Sequence, residues 1–198
     1  MGDDSHVMIP SQTGTTNEYY EGGPVSELDE AWAVVLNEAE QRARRAGHGE
    51  LAEYLSLRKS NDLLRQAGVD WLMTTFNTIA GEMNRTGAGI QVSRTDSHRF
   101  HVGNSTMAGT LLTLGYGVRM LYVEAGWPRT PRDGIVRGAG LAYASIRHLG
   151  LKRATNELLL VTSDAGKPAW AVVVPEGGQE IFHELSIKRH IVRLLDRI

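Results

Sequence analysis

The chain contains no cysteine. This absence excludes disulfide bonds, thiolate metal sites and cysteine nucleophiles together. A chain of 198 residues buries about 70% of the surface that its unfolded form exposes, so its fold does not depend on such cross-links. We therefore expect a fold held together by a hydrophobic core.

Long hydrophobic runs are also missing, and none approaches the roughly 18 residues of a membrane span. The first thirty residues hold no long apolar stretch and begin with Asp3 and Asp4, the wrong charge for a signal peptide. A myristoylation signal needs Ser or Thr at position 6, where His6 stands. These absences lead us to expect a cytoplasmic protein with no membrane attachment.

Sequence signatures of enzymes and cofactor sites are absent too. The stretches Gly115-Tyr-Gly117 and Gly138-Ala-Gly140 lack the spacing and the strand-to-helix context of a dinucleotide fingerprint. The chain has no Gly-Lys-Ser or Gly-Lys-Thr phosphate loop and no Gly-x-Ser-x-Gly nucleophile elbow. We therefore predict no cofactor.

The seven histidines show no spacing typical of a metal site. His98 and His101 are three residues apart on a predicted strand and therefore project to opposite faces. A metal centre would need His101, Glu124, Asp133 and His148 to converge across the sheet, and no pattern indicates that they do. The sequence therefore predicts no metal site.

Apolar residues recur at helical spacing in three consecutive segments. They predict helices from Ser26 to Gly47, over about 50–67, and from Val69 to Met83, with Gly68 ending the second. The third segment carries the strongest apolar stripe, which includes Phe76 and Ile79 and is typical of a helix face buried in a core.

From Ile90 onward, apolar and polar residues alternate and predict about six to seven short strands, with a turn at Asp96–Ser97. Short polar or glycine-containing links favour antiparallel hairpins, and a last helix begins near Ser186. Because the strands are grouped together, we predict an α+β fold: N-terminal helices, a mainly antiparallel, strongly curved sheet or partial barrel, and a C-terminal helix.

The same patterns suggest a division of the chain. Residues 1–24 lack apolar periodicity and are predicted to form a mobile arm. Residues 25–198 are predicted to form a single domain, with its helical part at 25–88 and the sheet and last helix at 89–198.

The charge is distributed unevenly, although the net charge is only −2. Residues 1–53 hold eleven acidic residues against three arginines, a balance of −8, and residues 94–153 hold nine basic residues against three acidic ones, a balance of +6. This asymmetry suggests an anionic partner for the basic segment or docking of one segment on the other. The alternative is that both segments form ordinary solvated surfaces.

One predicted loop, residues 126–138, is unusual because it gathers Trp127 and arginines between Pro128 and Pro131. Arginine donors match carboxylate or phosphate, and tryptophan offers a stacking face. The candidate ligand-binding residues are Trp127, Arg129, Arg132, Arg137, Arg119 and Arg147. The alternative is that Trp127 packs on the domain and the arginines are only solvated.

Glu124 is the main candidate for acid–base chemistry because it shares a predicted strand face with Met120 and Tyr122. A carboxylate on an apolar face would have a raised pKa and would suit general acid or base catalysis. The alternative is that Glu124 lies at a strand end and pairs with Arg119 or Arg147.

Three functions remain open at this stage. The first is a non-catalytic binding or regulatory module whose basic surface receives an anionic small molecule, peptide or nucleic-acid backbone. The second is a hydrolase or transferase acting on a phosphorylated or carboxylated small molecule, with Glu124 or His101 as the acid–base group. The third is a structural protein that forms a homodimer through its helices, using the stripe of the third. Convergence of Glu124, His101 and Arg129 would favour the enzyme.

Overall fold

The computed structural model of the chain describes residues 25–163, 166–173 and 178–196, with side chains left undescribed at 25–30 and 179. The predicted arm, residues 1–24, lies outside the described residues. Three α-helices are present in the described part: α1 (Val25–Arg45), α2 (Gly49–Arg85) and α3 (Glu184–Leu195). No described helix combines the length and the apolar composition needed to cross a bilayer.

The prediction of two separate helices over 50–67 and 69–83 was wrong, because α2 is one continuous helix of 37 residues. Gly68 does not end a helix but allows close packing inside one. A Cβ atom at this position would stand 2.5 Å from Cδ1 of Leu160, and the Gly68 carbonyl accepts a 2.8 Å hydrogen bond from Nε1 of Trp170. Glycine disfavours a helix interior by roughly 1 kcal/mol, and this close packing is the physical reason for its presence inside α2.

Seven strands form one open antiparallel sheet in which each strand pairs with its neighbours in the sequence. This arrangement confirms the predicted α+β fold, with helices before the sheet and one after it. The strands are β1 (Gln91–Val102), β2 (Ser105–Tyr116), β3 (Arg119–Trp127), β4 (Ala142–His148), β5 (Asn156–Thr162), β6 (Pro168–Val173) and β7 (Gln179–Ile181).

The two edge strands differ from the prediction. The expected turn at Asp96–Ser97 is a β-bulge within β1: the pairing with β2 shifts register between Thr95 and His98, and Ser97 adopts φ 58°. A bulge and charged side chains on an edge strand oppose pairing with another sheet, which explains why β1 is polar along most of its length. The short edge strand β7 had no signal in the sequence. The last helix is capped at His183, so Ser186 lies inside it.

The main hydrophobic core lies between the second half of α2, α3 and one sheet face, which we call the core face. The core face carries Leu112 and Leu114 of β2 and Leu121, Val123 and Ala125 of β3. The predicted stripe of the third helix packs here, and Phe76 is fully buried. That stripe is therefore not available as a dimer interface.

The connection from β3 to β4 folds over the opposite, outer face of the sheet. Val136 packs against a second apolar cluster formed by Phe100, Met107 and Tyr143. Ser105 at the start of β2 fixes the connection, because its hydroxyl donates to the Ile135 carbonyl at 2.9 Å and accepts from the Ile135 amide at 3.2 Å. The loop is therefore held on the sheet.

Replacing Phe76 with alanine should lower the free energy of unfolding by about 3–5 kcal/mol, because the change leaves a cavity at the centre of the core. The measurement is urea unfolding at equilibrium. Asn77→Ala, at the next and exposed position of α2, serves as the control and should stay within about 0.5 kcal/mol of the parent. A cost below about 1 kcal/mol for Phe76→Ala would contradict its place in the core.

Candidate functional site

The six predicted ligand-binding residues do not form one surface. Arg119 begins β3 and Trp127 ends it, and eight steps from residue to residue along the strand separate them by about 26 Å. Arg147 pairs with Tyr122 across β3 and β4, which places it on the outer face. The loop arginines and Arg119 therefore lie at opposite ends of the sheet.

Trp127 belongs to the core and is only 4% exposed. The guanidinium carbon of Arg129 lies 3.9 Å from the centroid of the Trp127 ring, in the geometry of a cation–π contact. The Trp127 ring is thus enclosed by the core and by Arg129. The position of Trp127 agrees with the alternative that its side chain packs on the domain and does not stack on a ligand.

Arg132 and Arg137 project from two turns of the loop. The turn Pro131–Asp133 is closed by the Asp133 carboxylate, whose Oδ2 accepts from the Thr130 hydroxyl and amide, both at 2.8 Å. These hydrogen bonds lower the pKa of Asp133. Arg132 and Arg137 are exposed, and the Arg137 guanidinium lies next to Gly103 in the β1–β2 turn.

Glu124 is buried on the outer face and has a partner for each carboxylate oxygen. Oε1 accepts a 3.0 Å hydrogen bond from Nη2 of Arg147, and Oε2 lies 3.2 Å from Nε2 of His98. Burial and the nearby carboxylates of Glu157 and Glu124 raise the pKa of Tyr143. We call His98, Glu124 and Arg147 the outer cluster. Each carboxylate oxygen of Glu124 has a partner within this cluster, in agreement with the alternative that Glu124 pairs with Arg147.

The trio expected for an enzyme is not assembled. His101 lies on the face opposite to His98, with Nδ1 3.3 Å from Oγ1 of Thr106. Arg129 is at the end of β3 against Trp127, so Glu124 has neither residue within hydrogen-bond reach. The four residues considered for a metal are also apart, and the described residues hold no group of three that could bind a metal ion.

A cleft of about 240 Å³ opens where β3 begins and where β4 and α3 end. We call it the terminal cleft; its lining residues are Arg119, Met120, His148, Leu149, Gly150, Leu151, Arg193 and Leu194. Pairing of His148 with Leu121 directs His148 to the core face. The amide of Leu149 donates to the Met120 carbonyl at 2.8 Å, which closes the cleft along its β3–β4 side.

Two cations border the terminal cleft, and none of the described residues that line it is acidic. Nη1 of Arg119 donates to the Leu194 carbonyl at 3.3 Å, which ties β3 to the last turn of α3. Arg193 is exposed and lies in that turn. Arg119 was a ligand-binding candidate from the sequence, but Arg193 and Leu194 were not.

Behind the cleft, His148 contacts His190 of α3. Nε2 of His148 lies 3.0 Å from Nδ1 of His190, and the two buried rings are stacked with centroids 5.3 Å apart. Burial, with a contribution from Arg193, lowers the pKa of His148. Burial, His148 and Arg193 together lower the pKa of His190 to about 4. The pair is therefore neutral near pH 7, with one ring donating to the other.

Sequence reasoning missed His190 and Arg193. His190 follows Ile187 by three residues and precedes Leu194 by four, so it lies on the apolar face of α3. A histidine within such a stripe was a usable signal for a buried polar contact. Arg193 offered no signal, because an exposed arginine at a helix end is common and its neighbours come from distant strands.

Comparisons with protein families, with curated proteins and with solved structures found no match to this chain. Any functional assignment therefore depends on the geometry of the chain itself.

The histidine pair predicts how stability depends on pH. Because the pKa of His190 is about 4 in the folded chain and about 6.5 when unfolded, the unfolded state takes up the proton first. The contribution of His190 is complete above pH 6.5 and is lost as the pH falls toward 4. Between pH 7 and 5, the parent should lose on the order of 2 kcal/mol more than His190→Gln.

Urea unfolding at several pH values measures this difference. His48→Gln, a change at the exposed cap of α2, is the control and should keep the slope of the parent. Equal slopes for the parent and His190→Gln would contradict a neutral, buried His190.

Proposed function

We propose that this chain is a non-catalytic binding protein that holds a small anion, or the anionic group of a small molecule, in the terminal cleft. The observation that carries the proposal is the pair of guanidinium groups, Arg119 and Arg193, beside a cleft with no acidic residue among its described lining. Arginine donors match the oxygens of phosphate, sulfate and carboxylate groups.

The charge balance of the cleft favours an anion. No ion pair of the described residues includes Arg119 or Arg193. The carbonyls at the end of α3 contribute about half a negative charge, and the Leu194 carbonyl already accepts from Arg119. Two full positive charges exceed this contribution, and Asp196, the C-cap residue of α3, is not among the residues that line the cleft, so the balance favours an anion.

The size and walls of the cleft narrow the class of ligand. A volume of about 240 Å³ is below the roughly 300–1,000 Å³ of sites that enclose a drug-sized molecule. Met120, Leu149 and Leu151 contribute apolar side chains to the lining of the cleft. The site suits one phosphate, sulfate or carboxylate group on a small ligand better than an extended polyanion.

This proposal is narrower than a basic surface spread over the sheet and the loop. Arg119 and His148 belong to the positively charged segment 94–153, but Arg193 lies outside it in the sequence. The loop arginines at the other end of β3 take no part in this site.

Sulfate should bind to the parent protein in a saturable way, and Arg119→Ala and Arg193→Ala should each weaken binding at least tenfold, because each removes a charge that faces the anion. Isothermal titration calorimetry measures the affinity, and thermal unfolding checks the fold of each variant. Arg85→Ala removes an exposed arginine at the end of α2 and should bind like the parent. Equal loss in all three variants, or no saturable binding to the parent, would reject the site.

Affinity for sulfate should rise as the pH falls from about 7.5 to 5.5, because a bound anion favours the protonated form of His148. Burial and, to a smaller extent, Arg193 lower the pKa of His148, and an anion beside the ring offsets the part that is due to Arg193. Sulfate keeps its own charge over this range, so the change reports on the protein. A pH-independent affinity would place the anion away from His148.

The enzyme alternative is separable from this proposal because Glu124 lies on the outer face. Glu124→Gln should leave sulfate affinity unchanged. An enzyme that used Glu124 would instead lose turnover of a phosphorylated or carboxylated substrate with this change, while a change in the terminal cleft would leave its acid–base group intact.

A further inference from the structure

The contact between His148 and His190 has the geometry of a hydrogen bond that can run in either direction. Nε2 of His148 and Nδ1 of His190 are 3.0 Å apart, the ring centroids are 5.3 Å apart and the ring planes differ by 21°. The two nitrogens therefore lie near the line that joins the ring centres, where a proton on either nitrogen points at the lone pair of the other. Burial lowers the pKa of both rings, so near pH 7 both are neutral and only one of these two nitrogens carries a proton.

Each ring has a second nitrogen that this contact does not use. No described residue forms a hydrogen bond with Nδ1 of His148 or with Nε2 of His190. Both nitrogens reach solvent, because the described residues contain no fully buried side-chain nitrogen or oxygen without a partner. His148 lines the terminal cleft, so its Nδ1 is the nitrogen that can meet a ligand there. The pair therefore runs from the cleft to a second solvent-accessible nitrogen on α3.

Two neutral arrangements of the protons satisfy the contact. In the first, Nε2–H of His148 donates to His190, whose own proton is on Nε2, and Nδ1 of His148 presents a lone pair to the cleft. In the second, Nδ1–H of His190 donates to His148, whose own proton is on Nδ1 and points into the cleft. The two rings share two protons in both arrangements, so one can replace the other without a change of charge or the loss of the hydrogen bond.

Charge in the terminal cleft decides between the two arrangements. Arg119 and Arg193 border the cleft. Burial is the first cause that lowers the pKa of both rings, and Arg193 contributes to each, so the positive charge of Arg193 acts on the pair. Positive charge favours a lone pair on the facing nitrogen, which is the first arrangement. An anion between the guanidinium groups and the His148 ring favours an N–H there, which is the second arrangement.

We propose that an anion bound in the terminal cleft reverses the hydrogen bond between His148 and His190, and that His190 is the positioning residue that lets neutral His148 donate to the anion. This inference rests on the proposed anion site. On binding, a proton from solvent joins Nδ1 of His148, the proton of the shared hydrogen bond moves from Nε2 of His148 to Nδ1 of His190, and Nε2 of His190 releases its proton to solvent. The total number of protons is unchanged, and Nε2 of His190 changes from a donor to an acceptor.

Nitrogen-15 NMR of the histidine rings measures the proton positions, because protonated and unprotonated ring nitrogens have well-separated chemical shifts. The spectra are recorded at about pH 8, above the ordinary histidine pKa of about 6.5. The free protein should carry the two protons on Nε2 of His148 and Nε2 of His190, and saturating sulfate should move both to Nδ1. His101, which is exposed and contacts Thr106 outside the cleft, should keep its shifts. Loss of signals in His148→Gln and His190→Asn assigns the two rings.

His190→Asn and His190→Leu form a matched pair of variants. The asparagine amide can donate or accept near the place of the His190 Nδ1 atom, whereas leucine can do neither and leaves His148 without a partner that favours its donation to the anion. At pH 8, the affinity for sulfate should fall about fivefold in His190→Leu and stay within about twofold of the parent in His190→Asn. Isothermal titration calorimetry measures the affinity, and thermal unfolding checks the fold of each variant. A role in packing alone predicts that the two variants bind sulfate equally.

Three results would overturn the reversal and leave the anion site standing. The first is saturable sulfate binding to the parent with unchanged proton positions on both rings. The second is a free protein that already carries its protons on Nδ1, and the third is equal sulfate affinity in His190→Asn and His190→Leu. If the parent binds no sulfate, the anion site itself is rejected and the reversal falls with it, so the titration of the parent separates the two failures.

Discussion

The close packing of α2 on the sheet at Gly68 is the constraint on which the rest of the architecture depends. Leu160 occupies the space where any other residue would carry a Cβ atom, and Trp170 donates to the Gly68 carbonyl. Distant parts of the chain are thus joined at one buried point. From this contact onward the second half of α2 is buried against the core face, whereas α1 packs on α2.

Local patterns were enough to predict the parts of the fold that depend on periodicity. The fold class, the antiparallel sheet and the burial of Phe76 follow from apolar spacing of about 3.6 and 2.0 residues. Gly68 and Asp96 were misinterpreted because glycine and Asp–Ser also favour helix ends and turns. At both positions tertiary contacts decide the outcome: Leu160 and Trp170 at Gly68, and continued pairing with β2 on both sides of the bulge at Asp96.

The candidate site was predictable only in part, because its residues meet through the sheet. Arg119 and His148 come together where β3 and β4 pair, and α3 then adds His190 and Arg193 from the end of the chain. Strand order and helix placement decide such meetings, and the spacing of residues in the sequence does not encode them. Linear charge has the same limit: it grouped Arg119 with Arg129, although Arg119 begins β3 and Arg129 follows its other end.

None of the ion pairs between described residues joins the two charged segments. Arg94 pairs with Asp96 and Arg147 with Glu124 inside the sheet, whereas Arg44 pairs with Glu40 inside α1. Each of these pairs joins residues of a single segment. Arg119 and Arg193 take part in no ion pair between described residues. The proposed anion site at the terminal cleft therefore keeps the positive charge of both guanidinium groups, although the two residues come from distant parts of the sequence.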